Sequence, residues 1–85
     1  MHREVYIMLT FDQRIGKKLQ EAREKKGLSL RDVAERYKKS YTTIYAYETG
    51  RNGINVSVLN DLCNIYGINY LDLLNQVYYE EKLGR

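Results

Sequence analysis

Residues 38–52 read KKSYTTIYAYETGRN and hold the side chains best suited to chemistry with a partner. Wound as a helix at about 100° per residue, they put Ile44 and Tyr47 on one side, flanked by Ser40 and Thr43. Tyr41, Thr42, Tyr45 and Ala46 fall on the opposite arc. None of these four is charged, whereas a solvated helix face ordinarily carries Lys, Glu or Arg. A face of phenol rings, a hydroxyl and a methyl fits a surface that offers both apolar and hydrogen-bonding edges. The major groove of duplex DNA is such a surface, with thymine methyls beside purine N7 atoms and exocyclic groups. A protein is another, because tyrosine is also enriched at protein interfaces. In a third arrangement Tyr41 and Tyr45, spaced i, i+4, stack on each other or on Tyr37.

Cations surround this face. Lys38 and Lys39 precede it, Arg51 and Asn52 follow it, and Arg31 lies upstream. Arg51 suits a phosphate as a multi-donor cation, or it answers the negative end of a helix dipole. The Ser40 hydroxyl and the amides that open a helix there are further phosphate donors. Catalysis has no comparable support: there is no His, Cys and acid cluster, no metal-ligand spacing and no glycine-rich phosphate loop. His2 is terminal, and Cys63, the single cysteine, reads as a small buried hydrophobe. No cofactor is expected.

Helices must position these residues. The chain lacks proline, and Gly27, Gly50, Gly53 and Gly67 punctuate it instead. A first helix follows Thr10, which with Gln13 matches a capping box. Ile15, Leu19 and Ala22 form its apolar stripe, and Gly16 inside it costs roughly 1 kcal/mol against alanine, as expected where another helix approaches closely. A second helix opens at Ser29 with Asp32 as its box partner and turns Val33, Ala34 and Tyr37 inward. A third runs from the Ser40 cap to Gly50. The fourth starts at Asn55, with Val58, Leu59, Leu62, Ile65 and Tyr66 apolar, and the fifth starts at Asn69, with Leu71, Leu74 and Tyr78 on one stripe. Short links between short helices predict a small all-α domain. Residues 1–9 are β-prone and read as an arm: a short strand, an extended segment on the core, or a partly disordered stretch. Residues 10–75 form the domain, and residues 76–85 a helical extension or tail.

The chain has 85 residues and a net charge of +3, which allows one domain. Its charge is uneven: residues 1–53 carry 12 Lys and Arg against 7 Asp and Glu, and residues 54–85 carry 2 against 4. The basic half fits a polyanion or a solvated surface. No apolar run is long enough to span a membrane. One thiol and no secretory signature are the pattern expected of a cytoplasmic protein.

Helix two, its short turn and helix three have the dimensions of a helix-turn-helix. The marks run in order: Ile15-Gly16 and Leu19, then Arg23 four residues before Gly27, "GLS" opening helix two, Val33-Ala34, Ser40-x-x-Thr43-Ile44, "YETGRN" and "LCNIYGINYLDLL". Over residues 15–74 the chain resembles the lambda-repressor-like, Cro/cI-type helix-turn-helix domain of the XRE family. Three positions depart from the pattern: Lys38 stands where glycine is common, Lys39 where an apolar residue is usual, and Leu30 where a backbone-contacting glutamine is common.

The resemblance implies a five-helix fold and a sequence-specific, double-stranded DNA-binding transcriptional regulator, expected to be a repressor. It implies base readout by Tyr41, Thr42, Tyr45 and Ala46. Phosphate contacts are expected from Arg31, Lys38, Lys39, Ser40, Thr43, Arg51 and Asn52, and Arg23 and Glu48 are expected to form a structural ion pair. A single such domain makes few base contacts for genome-wide specificity. A homodimer on a two-fold symmetric operator is the usual remedy, with Ile68, Tyr70, Leu71, Leu74, Val77 and Tyr78 as its expected surface. The competing function is an antitoxin or inhibitor module that binds a protein partner with the same scaffold.

Overall fold

The computed structural model describes residues 9–83, so most of the predicted arm and the last two residues lie outside the described part. Five helices make up the structure: α1 Phe11–Lys25, α2 Leu30–Tyr37, α3 Tyr41–Glu48, α4 Val56–Tyr66 and α5 Tyr70–Lys82. The fold is all-α, with no strand among the described residues.

Each helix starts where a polar side chain takes over an orphan amide. Thr10 and Gln13 close a full capping box on α1, and Ser29 and Asp32 close another on α2. Bonds within the second box, from the Ser29 backbone and hydroxyl, hold the Asp32 carboxyl below its ordinary range. Ser40, Asn55 and Asn69 cap the remaining three helices through side-chain oxygens. Gly67 ends α4 in the left-handed region at φ 73°, a conformation glycine reaches without a Cβ penalty.

α1 packs on α3, α4 and α5, α2 packs on α3 and α4, and α4 packs on α5. The core is drawn from all five helices: Ile15 and Leu19, Val33, Ile44, then Leu59, Leu62, Cys63 and Tyr66, and Leu73 with Val77. Burial alone pushes the Cys63 thiol up to about 11, so it stays protonated at neutral pH and packs as a hydrophobe.

Two side-chain expectations are corrected here. The core register of α5 runs through Leu73 and Val77, and Val77 is fully buried, so it cannot belong to a dimer surface. The i, i+4 pair beneath α1 sets that register, which turns Leu71 and Tyr78 outward. Ala46 is only 7% exposed, although it lies on the arc expected to be open. Beyond α3 the chain turns back, and the Asn52 amide donates to the Ala46 carbonyl at 3.2 Å.

Candidate nucleic-acid interface

The second and third helices meet through a three-residue turn, Lys38, Lys39 and Ser40. Lys38 ends α2 at φ 59°, the one left-handed non-glycine residue among those described. The turn closes when the Lys39 amide donates to the Ala34 carbonyl at 3.1 Å. It is here that glycine is common, and the lysine holds a conformation costing L-residues about 1–2 kcal/mol. Both lysines are exposed.

At the start of α3, three hydroxyls are tied together. Ser40 Oγ lies 2.9 Å from both Thr42 Oγ1 and Thr43 Oγ1, and it also accepts from the Thr43 amide. The threonine hydroxyls are thus turned back toward the cap. Tyr41 and Tyr45 are 47% and 49% exposed, Thr42 is exposed, and Thr43 is half-buried. Tyr47 is half-buried against the core rather than fully inside it. The structure therefore brings Tyr41, Thr42 and Tyr45 together on the open side of α3 and removes Ala46 from it.

Among the described residues, Tyr41 stacks on no tyrosine. The Arg31 guanidinium of α2 lies over its ring, 5.4 Å from the centroid, within cation–π range. Arg31, Lys39, Ser40 and Tyr41 line a shallow depression between α2 and α3. Spacing gave no hint of the Arg31–Tyr41 contact, because the two residues are joined across the turn and not along one helix. A second link was equally hidden: Tyr37 Oη donates to Asp61 Oδ2 at 3.0 Å and fastens α2 to α4. Burial, then this bond, raises the Tyr37 phenol above its usual range.

The far end of α3 is fixed from beneath. Arg23 Nε donates to Glu48 Oε2 at 2.7 Å and Nη2 to Oε1 at 3.0 Å, while Nη1 donates to the Leu28 carbonyl at 2.8 Å. Both partners are buried. The bonds to Glu48 outweigh desolvation and raise the Arg23 guanidinium further, so the arginine stays charged. This bidentate fork joins α1 to the C-terminal end of α3. Gly16 lets the two helices touch, since a Cβ there would collide with the Tyr47 and Glu48 carbonyls. Gly50, at φ 76°, is pressed on Gln13, where a Cβ would come within 2.8 Å of backbone. Those contacts carry exposed Arg51 and Asn52 just past α3.

Another concavity, of about 410 Å³, is lined from α1, the α4–α5 turn and α5, with none of its residues from α2 or α3. Leu71 and Tyr78 are exposed on α5, while Ile68, Tyr70 and Leu74 are partly covered by the core. No group of acidic, His or Cys residues able to hold a metal occurs among the described residues. No helix there is long and apolar enough to cross a membrane.

A helix-turn-helix domain family model matches residues 16–79. Among solved structures, the chain is similar to the clp gene regulator ClgR from Corynebacterium glutamicum. The TM-score is 0.78 at 25% identity, covering 86% of this chain and 95% of that one. It is also similar to the BldD DNA-binding domain from S. venezulae, with a TM-score of 0.67 at 29% identity over 74% of this chain and 94% of that one. No curated protein matches its sequence.

Proposed function

The chain belongs to the helix-turn-helix domain family, and from that premise we propose that it is a sequence-specific double-stranded DNA-binding regulator, acting as a repressor. The observation that carries the reading is the open face of α3. Tyr41, Thr42 and Tyr45 are exposed there without a charge among them, and the helix is anchored on its other side by the Arg23–Glu48 fork. In this reading α3 enters the major groove, and its exposed side chains meet base edges.

Phosphates are gripped around it. Lys38, Lys39 and the Ser40 cap lie at one end of α3, and Arg51 and Asn52 lie at the other, so cations and donors flank the helix on both sides. Arg31 has a divided role: it holds the Tyr41 ring and remains close enough to the α2–α3 depression to meet a phosphate. Two copies related by a two-fold axis present two α3 helices to half-sites about one helical turn apart. The exposed Leu71 and Tyr78 of α5, flanked by Ile68, Tyr70 and Leu74, form the surface between them.

Salt separates this function from a protein-binding module on the same scaffold. Neutralising several phosphates releases counterions, so DNA affinity falls steeply as salt rises. Binding to a duplex that weakens along such a slope, with sequence preference lost in Tyr41→Ala, is the expected result. Retained partner binding with a flat salt response, or a Tyr41→Ala protein with unchanged operator preference, would contradict it.

A further inference from the structure

We infer, on the basis of the DNA-binding reading above, that α3 recognises A·T pairs chiefly through their thymine methyl groups. The reasoning starts from what α3 does not carry. Between Tyr41 and Glu48 there is no Arg, Lys, Asn or Gln. The helix therefore has no side chain for the bidentate contacts that identify guanine by O6 and N7 or adenine by N6 and N7. Its one charged residue, Glu48, is buried and committed to Arg23, so it cannot accept from cytosine N4.

What remains exposed is largely apolar surface, whose free polar atoms are the Tyr41 and Tyr45 phenol oxygens, each a single hydroxyl and not a bidentate group. The Thr42 and Thr43 hydroxyls are drawn to Ser40 Oγ, and the Thr49 hydroxyl donates back to the Tyr45 carbonyl at 3.0 Å. The Tyr41 ring is held against Arg31, which limits the orientations it samples. Rings and threonine carbons are thus the main surface offered to the groove. The thymine C5-methyl is the apolar group that base pairs display on their major-groove edge, and it is the natural complement. The nearby residues able to make bidentate contacts, Arg31, Lys38, Lys39, Arg51 and Asn52, all lie outside α3 and are assigned to the backbone.

The test uses a duplex enriched from a random pool by this protein. Each thymine of the half-site is replaced in turn by deoxyuridine, which deletes the methyl and leaves pairing intact. Burying one such group is worth about a fourfold change in affinity. Several positions should show a loss of about that size, and the same losses should shrink in Tyr45→Ala or Tyr41→Ala. At those positions 5-methylcytosine should be tolerated better than cytosine, because it keeps the methyl while changing the group at C4. Unchanged binding at every deoxyuridine position would overturn this inference and leave the DNA reading standing. So would a half-site of G·C pairs under α3, or equal binding with cytosine and 5-methylcytosine. Failure to enrich any duplex would overturn both.

Discussion

At the scale of the residue, Lys38 is the most informative departure from the family pattern. It occupies the left-handed end of α2 at φ 59°, where glycine would pay no Cβ penalty. A lysine kept at a strained turn beside the proposed groove-facing helix is consistent with a charge wanted at that point. Lys38→Gly is therefore expected to raise stability by about 1 kcal/mol, or about 4–8 °C in Tm for a domain this size. The same change should weaken DNA binding across sequences and lower the salt slope by about 1. Thermal melting and a salt titration check the two halves of this expectation. A destabilised variant would mean that the lysine side chain stabilises the turn by more than its backbone strain costs.

At the scale of the element, the five helices were legible because each is opened by a side-chain cap, and Gly27, Gly50 and Gly67 follow the ends of α1, α3 and α4. Thr10, Ser29, Ser40, Asn55 and Asn69 all cap where the sequence places them. The open side of α3 was largely legible too, since helical angle alone separates Tyr41, Thr42 and Tyr45 from Ile44. Ala46 was not, because helical angle does not say how far neighbouring parts of the fold cover the edge of an arc. Val77 failed for a related reason. On an apolar helix such as α5 two stripes are both plausible, and only packing against α1 and α4 chooses between Leu73–Val77 and Leu71–Tyr78. The Arg31–Tyr41 contact joins two helices, which no single-helix periodicity can reveal.

The Arg23–Glu48 fork is where the placement of α3 is most exposed to mutation. Glu48→Ala leaves a buried guanidinium with the Leu28 carbonyl and a longer pairing to exposed Glu24 at 3.9 Å, and breaking such a buried pair typically costs about 3–5 kcal/mol. Urea unfolding should show a loss of that order, a large share of the stability usual for a small domain. Replacing both partners with apolar residues of similar volume should recover much of it. Equal losses in the single and double variants would show that the fork, and not the stranded charge, dominates.

At the scale of the whole molecule, charge is divided between halves. The basic half, residues 1–53, includes α2, the turn and α3. The other half supplies α5, whose exposed Leu71 and Tyr78 lie seven residues apart on one face. In the proposed homodimer these faces meet, so Leu71→Asp should shift the protein toward monomer in sedimentation. Because Leu71 is exposed in the monomer, its melting as a monomer should change little. Operator affinity should fall while weak non-specific binding, set by phosphates, persists. An unchanged sedimentation profile would place the interface elsewhere.

The central claim, that α3 reads duplex DNA as one half of a symmetric pair, is tested most directly by enriching bound sequences from a random duplex pool. The expected result is an inverted repeat with half-sites about 10 base pairs apart, centre to centre, whose consensus blurs under Tyr41→Ala. A pool that emerges with no preferred sequence, while the folded protein still binds another protein tightly, would contradict it.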